Sequence, residues 1–404
     1  MTDHAARLVR QLELELPGAV RLRRHLHAYP YRSGEEGPTL VTLLATLPGV
    51  VTPVADTGAV VRVGGPGPAV AVRAELDALS IKEMSGRDWS SVHEGTMHAC
   101  GHDIHMAALV ALARAVHQVG GPAPLVSILQ PREESYPSGA RDIVEAGLLE
   151  TEDVRAVIAA HVQPTLPSGT VACTPGAVNA SSDEITIIVE GRGGHAAYPH
   201  LTQDPVSTLA HVIVAAQTLI SRNADPQSTL VLSITTLLAG AAANVIPDSA
   251  LARGSVRAMT TAGRRGILLR LREVVELVAQ AHGCTGRLEV TDGEPVLENS
   301  PELCEKSAPI LQSLGMHIAS DLRSAGSDDF SYYSERLPSL MMFVGVESAA
   351  GGLHSANFAP DDDAVTAVAH AMLAGYLAAA DATLTDDSQP ETGLRHAAYI
   401  GTDA

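Results

Sequence analysis

The sequence predicts an α/β protein with a mixed, mostly parallel sheet, helices on both sheet faces and a second, α+β domain inserted into it. Short runs rich in Val, Ile and Leu alternate with longer stretches of helical period, which is typical of a parallel sheet covered by helices. The pattern changes between residues 181 and 292. The chain has 404 residues, 46% of them hydrophobic, which is enough for two or three domains with buried cores.

The first part of the predicted core domain spans residues 1–180. Apolar runs at 69–74, 125–129 and 157–160 predict strands, and 104–119 predicts a helix. Ionisable residues follow the three strands: Glu75 and Asp77, then Glu133 and Glu134, then His161. Because ligand sites of open α/β sheets lie at the carboxyl ends of the strands, we expect these side chains to converge.

The inserted domain spans residues 181–292. It has strand-like runs at 184–189 and 229–235, and helical stretches at 205–221 and 262–281. The core domain resumes over 293–383 with a helix, a strand at 340–344 and a closing helix at 364–380. Residues 384–404 lose periodicity and are expected to form a mobile tail.

Charge and composition exclude several classes of partner. The chain has 27 Lys and Arg against 46 Asp and Glu, a net charge of −19, which disfavours nucleic acid and anionic lipid as partners. The N-terminus has no apolar signal-peptide core, and no unbroken apolar run reaches the ~18 residues of a membrane span. We therefore predict a cytoplasmic protein without membrane contact. Four scattered cysteines do not form a disulfide framework.

The densest group of metal-binding residue types lies at 98–105, just before the predicted helix. Cys100 and His102 flank Gly101, so a tight turn there could direct both at one ion, while Asp103 could cap the helix. A capped helix with incidental histidines is the alternative. Together with the strand-end residues Glu134 and His161, the group favours a metal site.

Adjacent glutamates after a buried strand suit metal-assisted hydrolysis. Neighbouring side chains in extended backbone point in different directions, so one of Glu133 and Glu134 can bind metal while the other handles protons. A divalent metal lowers the pKa of its bound water, and the free carboxylate accepts the proton. The chain has no Gly-x-Ser-x-Gly elbow, no phosphate-binding loop and no His-Glu-x-x-His motif, which argues against serine hydrolase and nucleotide-binding functions.

Nine motifs, in order along the chain, resemble those of the aminoacylase/carboxypeptidase-G-like metallopeptidases. The nearest resemblance is to the amidohydrolase branch, which includes hippurate hydrolases and indole-acetyl-amino acid hydrolases. The motifs are RHLHAYP at 24–30, RAELDAL at 73–79, MHACGHDIH at 97–105, QPREE at 130–134, HVQP at 161–164, GGHAA at 193–197, NVIP at 244–247, GSDDF at 326–330 and LH at 353–354.

The resemblance implies a catalytic domain with two divalent metal ions (Zn, Mn, Co or Ni) and an inserted lid that also forms a homodimer. The metal ligands it implies are Cys100, His102, Glu134, His161 and His354. Glu133 would be the general base, and Asp77 would orient a ligand or the base. On the lid, His195 would stabilise the oxyanion, in its own site or in the partner subunit's site, and Asn244 and Arg257 would hold the carboxylate of a small substrate.

Three departures from the family pattern concern the substrate more than the metals. Tyr31 stands where the family has Glu, and Glu75 stands where it has Asp. Residues 135–139, SYPSG, replace a glycine-rich turn next to the metal site. The expected activity is hydrolysis of the amide of small N-acyl amino acids or related amides. The alternatives are an N-carbamoyl or dipeptide bond in a biosynthetic pathway, and a non-catalytic member that binds a small molecule.

Overall fold

Two larger β-sheets with packed helices make up the protein, whose computed structural model describes residues 2–347 and 351–386. The described strands are β1 (Val50–Val54), β2 (Gly58–Val63), β3 (Ala69–Glu75), β4 (Leu125–Gln130), β5 (Val154–Gln163), β6 (Thr170–Ala172), β7 (Gly176–Asn179), β8 (Ser181–Glu190), β9 (Gly194–His195), β10 (Leu230–Ala239), β11 (Val245–Ile246), β12 (Ser249–Ala258), β13 (Thr285–Asp292), β14 (Leu297–Asn299), β15 (His317–Ala319) and β16 (Ser339–Gly345). The described α-helices are α1 (Asp3–Ala28), α2 (Gly37–Leu44), α3 (His102–Val119), α4 (Gly139–Glu145), α5 (Leu148–Thr151), α6 (Pro205–Thr218), α7 (Thr261–Ala281), α8 (Pro301–Ser313), α9 (Ser331–Ser334) and α10 (Asp363–Asp386).

The large sheet confirms the predicted fold class. Its order is β1-β2-β4-β3-β5-β16-β6-β15, and the four central strands, β4-β3-β5-β16, run parallel. Alternate residues of β3 point to opposite faces: Val70 and Val72 pack under helices α1, α3 and α10, whereas Ala69 and Ala71 pack with α4 and α5. Both faces are therefore covered, as the continuous apolar runs predicted.

Residues 181–292 build a separate four-stranded antiparallel sheet in the order β10-β12-β8-β13. Helices α6 and α7 pack on one face, where alternate strand residues such as Ile187 and Ala252 are buried against helix residues such as Leu271. The other face, which carries Ser182 and Arg257 opposite each other, has no helix on it among the described residues. β10 extends to Ala239, four residues past the predicted strand.

Helix α10 is the closing helix of the core. It continues to Asp386, so residues 384–386 of the predicted tail are helical, and 387–404 lie outside the described residues. Its segment Asp363–Ala382 is long and apolar enough to cross a membrane by composition, but 72% of that window is buried inside the fold. We interpret it as a core helix, which also needs an apolar surface all round.

Asp103 does not cap α3, so this prediction is wrong. The residue at the helix N-terminus is Gly101, and the Asp103 carboxylate instead accepts hydrogen bonds from Arg23 Nε at 2.7 Å and His27 Nδ1 at 3.0 Å. All three side chains are buried. Burial opposes ionisation of Asp103, but the neighbouring Arg23 and His27 charges lower its pKa below the ordinary 3.8. The stability that this shift contributes is therefore present above pH 3.8 and lost as the pH falls further.

Replacing Asp103 by Asn is expected to destabilise the metal-free protein by about 3 to 5 kcal/mol, because it leaves the buried Arg23 without its main counter-charge. The matched control is Glu145→Gln, which breaks the exposed Arg141–Glu145 pair and should cost less than about 1 kcal/mol. Urea unfolding of the three proteins measures both values. Equal effects of the two substitutions would contradict the assigned role of the buried pair.

Candidate metal centre and active site

The carboxyl ends of β3, β4 and β5 bring the predicted site residues together. Asp77 follows β3, Glu133 and Glu134 follow β4, and His161 lies near the end of β5. The Cys100-Gly101-His102 turn enters the same space from the start of α3. Cys100, His102 and Glu134 each offer a donor atom, and these atoms lie within 4.8 Å of one another. The convergence predicted from the strand ends is therefore present.

The two remaining expected ligands, His161 and His354, lie next to members of this group. His161 Nε2 lies 3.4 Å from Cys100 Sγ, and His354 Nε2 lies 3.1 Å from Glu134 Oε1. His354 sits in a loop with a positive φ of 60°, and its backbone N–H donates to Ala99 O at 2.9 Å, which fixes the loop against the Cys100 turn. A thiol, three imidazoles and a carboxylate thus surround one space.

Gly101 makes the turn between Cys100 and His102 possible. Its φ is +83°, in the left-handed region, and a Cβ atom at this position would lie 2.5 Å from Cγ2 of Val162. Both the backbone conformation and the close approach therefore require glycine.

Hydrogen bonds fix which ring nitrogen each histidine presents. His102 Nδ1 donates to the Asp77 carbonyl at 2.8 Å, and His161 Nδ1 donates to the Val162 carbonyl at 2.7 Å. Each ring therefore directs Nε2 towards the cluster, and Nε2 is the atom that would bind a metal in place of a proton. His105 is different: its Nε2 accepts the Val162 N–H and its Nδ1 donates to Glu75, so both nitrogens are already used.

Asp77 accepts hydrogen bonds from residues on two sides of the cluster. Its carboxylate accepts the Glu134 backbone N–H at 2.9 Å and the Ser33 hydroxyl at 2.7 Å, while its carbonyl accepts from His102. It thereby contacts one residue of the Glu–Glu pair and one histidine. These contacts are those of a residue that orients others.

The donor set fits divalent cations. His102 Nε2 is buried and has no hydrogen-bond partner among the described residues. Burial opposes protonation of His102, but Glu75 and Asp77 overcome it and raise its pKa to about 10. Burial, Glu134 and Glu133 raise the pKa of the Cys100 thiol. The carboxylates thus favour a positive charge at this place, and a metal ion would supply it while holding the thiolate deprotonated.

Glu133 lies beside the cluster, with Oε2 3.8 Å from His102 Nε2. Burial, Glu134 and Asp328 raise its pKa well above the ordinary range. Its carboxylate also lies within 4.8 Å of those of Asp328 and Asp329, which belong to the GSDDF motif.

A buried network beneath Glu133 was not anticipated from the sequence. Arg73 is fully buried and donates to Glu75, to Asp329 at 2.7 Å and to Gln130 at 2.9 Å. Ser138 donates to the same Asp329 carboxylate at 2.6 Å. An arginine inside an apolar strand run was the available signal, because a buried guanidinium requires carboxylate partners nearby.

The three predicted site residues of the inserted domain, residues 181–292, which we call the lid, occupy two distant places within one chain. Arg257 donates to Ala325 O at 3.1 Å, near the GSDDF loop. His195 and Asn244 lie together, where β9 pairs with β11 and Ala196 N donates to Asn244 O. They lie beyond the Ser249 end of β12, and the eight residue-to-residue steps from Ser249 to Arg257 alone span about 26 Å.

Asn244 and Arg257 therefore cannot hold the same carboxylate within one chain. The lid sheet separates them by its full length, so a joint contact with one carboxylate would need residues from two chains.

The α/β fold and the convergent donor set define a metal-dependent hydrolase. The chain belongs to the peptidase family M20/M25/M40, whose model matches residues 71–379, and it is an enzyme that acts on amides.

The chain is similar in sequence to known relatives over nearly its whole length. It is 34% identical to N-acetyldiaminopimelate deacetylase of Bacillus velezensis, over 90% of this chain and 98% of the relative. It is also 34% identical to N-acetyl-L-cysteine deacetylase of Bacillus subtilis, over 88% and 85%. The crystal structure of a dinuclear metal-binding peptidase of family M20 from Bacillus subtilis superposes with a TM-score of 0.80 at 28% identity, covering 92% of this chain and 99% of that one.

Proposed function

We propose that the protein hydrolyses the amide bond of small N-acyl amino acids, with two divalent ions held by Cys100, His102, Glu134, His161 and His354. The observation that carries the proposal is the convergence of these five side chains beside Glu133, a carboxyl group that is not one of the proposed ligands. Deacetylation of N-acetylated amino acids by the relatives supports the substrate class.

Each residue has a separate task in this proposal. Ions held by the five residues would supply the charge that lowers the pKa of water, so that hydroxide could attack an amide at neutral pH. Glu133 accepts the proton of the attacking water, for which its place beside the cluster suits it. Asp77 orients His102 through its carbonyl and the Glu134 segment through its carboxylate. The mixed ligand set does not select among Zn, Mn, Co and Ni.

Arg257 is proposed to read the substrate's free carboxylate from the same chain. It stands on the open face of the lid sheet and is anchored to Ala325, three residues from Asp328 beside Glu133. A net charge of −19 repels an anionic substrate at long range, so a local charge-assisted contact is needed to bind it.

The test compares an N-acetyl amino acid with its methyl ester after metal reconstitution. For wild type, kcat/KM should be roughly 10- to 100-fold lower with the methyl ester than with the free acid. For Arg257→Ala, the two substrates should differ little. N-carbamoyl amino acids and dipeptides assayed alongside decide between the proposed bond and its alternatives. No turnover of any of these amides would contradict the proposed substrate class, and equal turnover of acid and ester would show that no carboxylate is recognised.

We further propose a homodimer through the lid, in which His195 and Asn244 complete the partner subunit's site. Within one chain, His195 and Asn244 lie too far from Arg257 to contact the same substrate, which supports this arrangement. β10 is an edge strand with no neighbour on its outer side among the described residues, and Leu237 and Leu238 on it are 53% and 58% exposed. An apolar, unprotected edge strand is a surface for strand pairing with a second copy.

Mixing two inactive variants tests the shared site. In a heterodimer of Glu133→Gln and His195→Ala chains, one of the two sites contains both intact residues. Random exchange should therefore restore about a quarter of wild-type activity, since half the dimers are mixed. Each variant mixed with itself is the control. Absence of recovery in a confirmed mixed dimer would place His195 in its own chain's site or outside the mechanism.

The cytoplasmic location and the absence of nucleic acid and membrane partners remain predictions from composition. Cell fractionation tests the location.

A further inference from the structure

The loop after the Glu133–Glu134 pair contacts the hinge of the lid through one side chain, Tyr136. This residue lies in the SYPSG segment, residues 135–139. Its hydroxyl donates to the carboxylate of Glu294, which lies between β13 of the lid and β14 of the catalytic part. Tyr136 is 62% exposed while Glu294 is 8% exposed. Core packing therefore does not explain the tyrosine, and its hydroxyl is its main anchor.

Glu294 belongs to a closely connected hinge. The chain enters the lid near Ser182 and leaves it near Gly293, and Ser182 N donates to Glu294 O at 2.9 Å. Asp183 accepts from Gly293 N at 3.4 Å and is held by Arg264 Nε at 2.8 Å. The two crossings are therefore joined to each other by hydrogen bonds, and Glu294 is part of this connection.

The other end of the contact is the metal-site loop. Glu134, two residues before Tyr136, is held by Asp77 through its backbone N–H, and Ser138, two residues after it, is held by Asp329. Between these anchors, Tyr136 is the side chain that reaches the hinge. The Tyr136–Glu294 hydrogen bond therefore connects the hinge to a segment whose first residue is a proposed metal ligand.

We propose that Tyr136 is a positioning residue that couples the lid hinge to the metal-binding Glu133–Glu134 segment through its hydrogen bond to Glu294. Metal bound at Glu134 then stabilises the hinge, and by reciprocity the hinge stabilises the metal. This inference rests on the proposed assignment of Glu134 as a metal ligand.

Hydrogen–deuterium exchange of the full-length protein tests the coupling without any substrate. The readout is the exchange of the hinge amides of Ser182 and Gly293, measured in metal-stripped protein and after addition of Zn²⁺ alone. In wild type, Zn²⁺ should slow this exchange about fivefold or more, the lower range of typical coupling between sites. In Tyr136→Phe the metal-dependent slowing should disappear while Zn²⁺ still binds, and Glu294→Ala should behave alike. The double variant should show no further change.

Tyr332→Phe is the matched control. Tyr332 also donates to the hinge, to Gly293 O at 3.3 Å, but it comes from α9, and among the described residues its hydroxyl makes no hydrogen bond to residues 133–138. Its loss should raise hinge exchange in both states and leave the Zn²⁺-dependent slowing intact. Slowing that persists in Tyr136→Phe, or that disappears equally in Tyr332→Phe, would overturn the coupling. Absence of Zn²⁺ binding to wild type would overturn the metal assignment and the coupling with it.

Discussion

Glu133→Gln is expected to lower kcat by about 10² to 10⁴-fold while the protein keeps its fold and most of its metal. The substitution removes the proton acceptor beside the cluster but changes neither the size of the side chain nor any of the five proposed ligands. Steady-state kinetics with a reconstituted protein gives the rate, and elemental analysis of the same sample gives the metal content.

The adjacent residue supplies the control. Glu134→Gln should lose metal first and activity as a consequence, because an amide oxygen replaces a carboxylate that lies among the donor atoms of Cys100 and His102. Added metal should therefore restore part of the activity of Glu134→Gln and none of that of Glu133→Gln. The opposite pattern would exchange the roles of base and ligand.

His161→Ala and Cys100→Ala should each bind far less metal than wild type and lose activity with it. Each substitution removes a buried donor atom, and the remaining histidine His102 is held in its place through Nδ1 and cannot replace it. Loss of residues that support a metal site costs 10- to 100-fold in affinity or activity, and we expect loss of a ligand to cost at least about as much. Elemental analysis after dialysis against a fixed free metal concentration measures the difference.

Cys173→Ala is the control for the loss of a buried thiol. Cys173 is buried like Cys100 but lies near Cys304, and it belongs to no group of potential metal ligands among the described residues. It should retain its metal content. If Cys100→Ala and His161→Ala also retained theirs, the proposed ligand set would be wrong.

The convergence of the site was predictable because it follows from topology. Once runs such as 69–74 and 125–129 are interpreted as parallel strands, their carboxyl ends must meet, and Glu75, Glu133 and His161 meet with them. The identity of the proposed ligands and lid residues came from motif resemblance, since spacing does not reveal which side chains face one ion.

Contacts over long sequence separations could not be predicted in the same way. Asp103 has the sequence context of a helix cap, yet it pairs with Arg23, 80 residues earlier, because α1 packs on α3. Likewise, a separation of thirteen residues gave no indication that Asn244 and Arg257 lie at opposite ends of the lid sheet. In both cases the packing of distant elements determines the partner.

The left-handed turn at Gly101 limits how this enzyme can evolve. Substitution there brings a Cβ against Val162 and forces a disfavoured backbone conformation, and the two residues whose directions would change are Cys100 and His102. Gly95 has a similar φ of +79° but open space around it, so it meets only the backbone penalty. If both positions are randomised and active variants are selected, we therefore expect glycine alone at position 101. Position 95 should also accept asparagine, which tolerates this conformation.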